Sequence, residues 1–99
     1  MEKIQSHAKL VIVGGGILGV SLLYHLTEEG WKDIVLIEKG ELTSGSTWHA
    51  AGLVSQLGPS AAITKIRKYT LDLYKKLEKE VDHSAGLRLN GALSIAQNK

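Results

Sequence analysis

Three glycines set directly against an apolar tetrapeptide constrain this chain more than any other feature. Leu10-Val11-Ile12-Val13 runs without a break into Gly14-Gly15-Gly16. A short, wholly apolar and largely β-branched run suits a strand buried on both faces, as in a parallel sheet covered by helices. Beyond the glycines the period changes. Ile17, Val20 and Tyr24, together with Leu18, Leu22 and Leu26, recur at helical spacing from Ile17 to Glu29, and Gly30 stands where a left-handed residue commonly closes a helix. Ile34-Val35-Leu36-Ile37 then repeats the buried-strand signature and ends in Glu38. Strand, glycine turn, helix and strand within about 30 residues make a βαβ unit.

Gly14-Gly15-Gly16-Ile17-Leu18-Gly19 fits the pattern G-x-G-x-x-G. Gly14 permits the tight turn off the strand, Gly16 lets a pyrophosphate approach the backbone, and Gly19 lets the helix pack closely on the sheet. The diphosphate would rest on free N–H groups at the positive end of the helix, where Ile17 and Leu18 lie. The pattern alone is weak, but here a strand precedes it, a helix follows it, and Glu38 ends the next strand at the expected distance of ~20 residues. An acid there accepts hydrogen bonds from an adenosine ribose and repels a 2′-phosphate, which disfavours NADP. The expected fold is therefore α/β, a Rossmann-type βαβ unit. Two parallel strands and one helix cannot complete a doubly wound sheet, so the unit is expected to be incomplete at its carboxy-terminal end, with residues 1–99 forming the amino-terminal part of a single domain.

The remainder of the chain separates the nucleotides that this unit could hold. From Glu38-Lys39 the sequence becomes a loop dense in Gly, Ser, Thr and Ala, running through Gly45-Ser46-Thr47-Trp48-His49 to Ala51-Gly52-Leu53. Such a loop can lie flat against a cofactor and offer it backbone N–H and hydroxyl groups. An NAD enzyme ordinarily continues with further βα units, so an NAD-dependent dehydrogenase stays as an alternative that leaves the loop unexplained. Pro59-Ser60 reads as a helix start, and Ile63, Ile66, Thr70, Leu73, Leu77 and Val81 then keep amphipathic rhythm. Leu87 to Ala96 is expected as a strand pair or bent strand around Asn90-Gly91. Trp48 either wedges against a cofactor or, more commonly for a lone Trp, packs in a core.

Composition closes off other classes. A formal net charge of +2, without cysteine, gives no reason to expect nucleic acid or a membrane as partner and excludes thiolate chemistry in this segment. His7, His25 and His83 show no metal-ligand spacing, so no metal is expected. No apolar run approaches the ~20 residues that cross a bilayer. Met1–Lys9 does not have the pattern of a secretory signal or an organelle transit peptide, so a bacterial-type cytoplasm is the expectation, with the mitochondrial matrix the alternative for a eukaryotic source.

Gly14–Gly19, Glu38-Lys39, the stretch LTSGSTWHAAGLVSQLGPS and the later NGALSIAQN together resemble the amino terminus of the sarcosine and dimethylglycine dehydrogenase family. These are FAD enzymes of the D-amino-acid-oxidase-like superfamily. The loop is slightly more similar to the sarcosine branch, through Thr43-Ser44-Gly45 and Gly52-Leu53-Val54. The resemblance implies FAD as cofactor, carried covalently by His49, and oxidation of a small methylated amine such as sarcosine or dimethylglycine by hydride transfer to flavin. It also implies an electron-transfer flavoprotein as electron acceptor and tetrahydrofolate on a separate carboxy-terminal domain. The cofactor contacts it implies are Gly14, Gly16, Ile17, Leu18, Gly19, Glu38, Lys39, Gly45, Ser46, Thr47, His49, Ala51, Gly52 and Leu53. No catalytic acid or base falls in this segment, and a fragment this short is expected to be inactive alone; a noncatalytic truncated product is the other alternative.

Overall fold

The computed structural model describes residues 3–98; Met1 and Glu2, at the head of the leader, and Lys99 lie outside the described residues. The elements run β1 (Leu10–Val13), α1 (Ile17–Glu28), β2 (Ile34–Ile37) and α2 (Ala61–Val81). The chain divides into two compact units, Met1–Ala51 and Gly52–Lys99.

In the first unit β1 and β2 pair in parallel, with Leu10 opposite Ile34 and Val13 opposite Ile37. The ladder continues past the strands, where Gly14 N–H donates to Ile37 O at 2.8 Å and Lys9 N–H to Asp33 O at 3.0 Å. A four-residue strand can hold this parallel pairing because α1 carries the chain back to the start of the sheet. Helix α1 closes as its sequence indicates: Glu29 N–H donates to His25 O, Gly30 N–H to Thr27 O, and Gly30 takes a φ of 83°. The buried core differs from the two-sided burial expected of the strands. Ile12, 7% exposed, is the buried hydrophobic residue among those described, whereas Val13 is 84% exposed. One pair of strands and one helix do not have enough surface to cover both faces of a sheet.

The glycine turn is tight for a reason the coordinates make plain. A Cβ on Gly19 would lie 1.9 Å from Gly14 O and 3.4 Å from Ile12 Cγ2, so the first turn of α1 sits directly on the backbone that leaves β1. Gly14 itself needs its φ of 111°, which side-chain-bearing residues rarely adopt.

In the second unit α2 starts at Ser60, whose hydroxyl accepts from Ile63 N–H at 3.3 Å. The helix ends at Asp82, left-handed at φ 49°. On the exposed side of α2, Lys68–Asp72 at 2.8 Å and Lys76–Glu80 at 3.5 Å form i,i+4 pairs. Thr70, Leu73, Tyr74 and Leu77 are half-buried, while Ile66 and Tyr69 are exposed. The strand pair expected over Leu87–Ala96 does not form in the described residues. Gly91 keeps the left-handed turn conformation, φ 75°, but Leu93 stands 89% exposed. An isolated hairpin is marginal in water, and the turn alone does not hold a ladder.

Gly19→Ala should destabilise the flavin-free protein by about 1–3 kcal/mol, because backbone rather than a flexible side chain must move. Gly45→Ala, with nothing within 4 Å of the added methyl, should stay within about 0.5 kcal/mol. Paired denaturant titrations measure both. Ser60→Ala should cost about 1 kcal/mol at the start of α2, seen as faster amide exchange confined to the helix's first turn.

Candidate cofactor-binding site

The first turn of α1 has an N-cap that cannot cap. Gly16 occupies that position, and no side chain there accepts a hydrogen bond from the helix. The first helical N–H groups nevertheless need acceptors. Ile17 N–H finds Thr47 Oγ1 at 2.9 Å, a residue 30 positions further along the chain. Val20 N–H closes the first intrahelical bond, onto Gly16 O at 3.0 Å. The N–H groups of Leu18 and Gly19 precede it and have no intrahelical partner, at the end of the helix where the dipole favours an anion.

Glu38 lies at the end of β2 and turns its carboxylate toward the glycine turn. Oε2 accepts from Gly15 N–H at 2.8 Å and Oε1 from Gly40 N–H at 3.0 Å. These bonds, Gly15's first, hold the Glu38 carboxyl below the usual glutamate range, against a smaller opposing effect of partial burial. An ionised carboxylate has about four acceptor positions, so a ribose diol can still donate to it beside these backbone bonds.

The loop after Glu38 is a short coil of turns rather than an extended strap. Trp48 N–H donates to Thr43 O at 3.0 Å, His49 N–H to Ser46 O at 3.1 Å and Ala50 N–H to Thr47 O at 3.3 Å. Two bonds fasten it to the glycine turn: the Thr47 cap, and Thr43 N–H to Gly15 O at 2.8 Å. His49 Nδ1 lies 2.8 Å from Gly45 O. A carbonyl can only accept, so Nδ1 carries the proton and the neutral ring keeps its lone pair on Nε2. Trp48 is 78% exposed, not packed in the core as a lone Trp commonly is.

The first unit thus contains Gly14, Gly16, Ile17, Leu18, Gly19, Glu38, Lys39, Gly45, Ser46, Thr47, His49 and Ala51, with the turn, Glu38, Thr47 and the His49 coil joined by the bonds above. Gly52, at φ 73°, and the exposed Leu53 belong to the second unit. The sequence reading passed over Gly15. It is buried, it makes both of the backbone bonds to Glu38 and Thr43, and a Cβ there would meet Leu42 Cδ2 at 2.6 Å and Glu38 Cβ at 3.1 Å. The available signal was a glycine at the first "x" of a pattern that does not require one.

These groups suit an adenine dinucleotide: a side-chain-free turn, unpaired helical N–H groups for a diphosphate, and a carboxylate with spare acceptor capacity for a ribose. Because the Glu38 pKa is lowered by folding, its contribution to stability is complete at neutral pH. It is lost as the pH falls from the usual glutamate range through the lowered value. The difference in melting temperature between the flavin-free protein and Glu38→Gln should therefore shrink on acidification through that window. A constant difference would mean that Glu38 acts by packing rather than by charge.

Comparison with known proteins agrees with this geometry. The FAD dependent oxidoreductase family (DAO) matches residues 9–99. Dimethylglycine dehydrogenase of Homo sapiens, a mitochondrial protein, is 48% identical over 92 residues, covering 93% of this chain and 11% of that protein. Mitochondrial sarcosine dehydrogenase of Homo sapiens is 43% identical over 95 residues, 95% of this chain and 10% of that protein. The order is the reverse of the slight preference for the sarcosine branch drawn from the loop. The mitochondrial pyruvate dehydrogenase phosphatase regulatory subunit of Mus musculus is also 43% identical, over 94 residues, 95% of this chain and 11% of that protein. The chain spans about a tenth of the length of these relatives. It belongs to the FAD-dependent oxidoreductases of the DAO family.

Proposed function

We propose that the whole protein oxidises the N-methyl group of a small methylated amine, sarcosine or dimethylglycine, with FAD as the hydride acceptor and His49 as its covalent anchor. Support for the substrate class comes from two relatives whose names state it, both more than 40% identical over most of this chain. The observation that carries the covalent reading is the Gly45 carbonyl on His49 Nδ1 at 2.8 Å. It leaves Nε2 as the nucleophile, and two residues away Thr47 ties the same coil to the diphosphate turn.

In this reading each group of the chain has one task. The N–H groups of Leu18 and Gly19 take the diphosphate, and the unsubstituted faces of Gly14 and Gly16 let it come close. Glu38 takes the adenosine ribose, with Lys39 beside it. Gly45, Ser46, Thr47 and Ala51 line the path toward the ring system, and Gly52 and Leu53 are further cofactor contacts that the resemblance implies. His49 Nε2 would be the nucleophile at the 8α-methyl carbon, which gives up a proton while the isoalloxazine takes the electron pair and is reoxidised by the electron acceptor. FAD supplies the electron sink, while the protein supplies position and electrostatics. The substrate's N-methyl group becomes an iminium, which hydrolyses to formaldehyde or passes its one-carbon unit to tetrahydrofolate on a carboxy-terminal domain. Residues 1–99 are then the amino-terminal part of one FAD-binding domain. An electron-transfer flavoprotein as acceptor, and the mitochondrial matrix for a eukaryotic source or the cytoplasm for a bacterial one, rest on the same resemblance. Among the described residues no helix is long and apolar enough to cross a membrane.

A second, noncatalytic reading is favoured by one relative that is named a regulatory subunit. Steady-state assay of the full-length protein with dimethylglycine and sarcosine and an artificial electron acceptor separates the two, since a regulatory flavoprotein reduces nothing with either amine. For the anchor, wild-type flavin should stay with the acid-precipitated protein, and His49→Ala should release all of it into the supernatant. Wild-type flavin that is equally extractable rules the covalent bond out.

A further inference from the structure

We infer that Thr47 is a positioning residue that caps helix α1 from outside and thereby sets the place of the His49 coil before any cofactor arrives. This rests on the FAD reading above, and it assigns Thr47 a role in the flavin-free protein beyond contact with the cofactor.

A helix N-terminus is ordinarily capped by its own N-cap side chain, through the N2 or N3 N–H. Here the N-cap is Gly16, which has no side chain, and the hydroxyl comes from a residue 30 positions later onto Ile17 N–H at 2.9 Å. The two substitutions are complementary. A Cβ on Gly16 would stand 3.2 Å from Thr47 Oγ1, closer than a methyl ordinarily approaches, so the glycine that opens the turn also makes room for the foreign cap. Thr47 O is in addition the acceptor of the coil's last turn, taking Ala50 N–H at 3.3 Å, while His49 N–H donates to Ser46 O at 3.1 Å. Its backbone therefore sits inside the turn that carries the histidine. The Thr47 bond is one of the two that join the glycine turn to the coil carrying His49, the other being Thr43 N–H to Gly15 O, and it is the one that reaches the helix start. As a hydroxyl that accepts from Ile17, Thr47 still has its own O–H to donate, so capping and cofactor contact do not compete.

The test uses full-length protein made without flavin, read by hydrogen–deuterium exchange with mass spectrometry. Thr47→Val keeps the shape and removes the acceptor. It should speed exchange by roughly 2- to 10-fold, the worth of one lost hydrogen bond, in both the peptide over 14–22 and the peptide over 43–50. Thr47→Ser should restore wild-type exchange in both. Gly16→Ala, with Thr47 intact, should reproduce the faster exchange over 43–50 by pushing the hydroxyl away. Unchanged exchange in either segment of Thr47→Val, or unchanged 43–50 exchange in Gly16→Ala, overturns the inference. A role confined to cofactor contact would leave both segments of the flavin-free protein at wild-type rates. Acid extraction of wild-type flavin is scored separately: complete release removes the His49 bond and leaves the exchange result standing.

Discussion

Backbone N–H groups between β1 and α1 impose the constraint from which the first unit follows. A chain that leaves a strand and enters a helix within three residues exposes several donors at once, and donors near a helix start have no partner of their own. Three of them are met by acceptors from further along the sequence. Ile37 O serves Gly14, the Glu38 carboxylate serves Gly15, and the Thr47 hydroxyl serves Ile17. Satisfying the turn therefore requires β2 beside β1 and the loop after β2 folded back over the turn. The N–H groups of Leu18 and Gly19, left over from this arrangement, are those that suit an anion.

That arrangement explains why an acid suits the end of β2 and ties its charge to the folding of the turn. Glu38 holds Gly15 and Gly40 through the same carboxylate that retains acceptor capacity toward a ribose. A glutamine offers one acceptor oxygen in place of two and turns an NH2 group toward a backbone donor. Loss of charge here weakens the turn before any cofactor is considered. The missing side chain at Gly16 likewise leaves room for the Thr47 cap, which a Cβ would approach to 3.2 Å.

The βαβ unit was legible in the sequence because its signals are local: two apolar tetrapeptides, a helical period between them, and glycines at the turns. The helix start at Ser60 was legible for the same reason. What escaped was decided over distance. The Leu87–Ala96 strands have an intact turn signal at Asn90-Gly91, but a strand exists only through its ladder, and a turn does not supply one. Gly15 escaped because its need is steric, set by Leu42 and Glu38 in three dimensions. Burial of Val11 and Val13 depends likewise on surfaces that a strand's own residues do not encode. Thr47 was placed near the cofactor by resemblance, yet its bond to Ile17 N–H has no counterpart in spacing or period.

The loop separates this chain from a generic dinucleotide fold by changing what the turn can do. In the bare fingerprint the helix start offers its N–H groups and nothing else, and any adenine dinucleotide fits. Here one of those donors is spent on a loop residue, and in exchange the protein gains a second point of control 30 residues away in sequence. The coil that follows holds an imidazole whose Nδ1 lies 2.8 Å from the Gly45 carbonyl, so a main-chain acceptor selects which ring nitrogen keeps the lone pair. A nicotinamide cofactor has no use for such a nucleophile, since it accepts hydride without being tethered. Under the proposed covalent reading, a flavin, with an electrophilic methyl carbon at the far end of a long rigid ring, is the cofactor for which a histidine held relative to the glycine turn has chemical consequence.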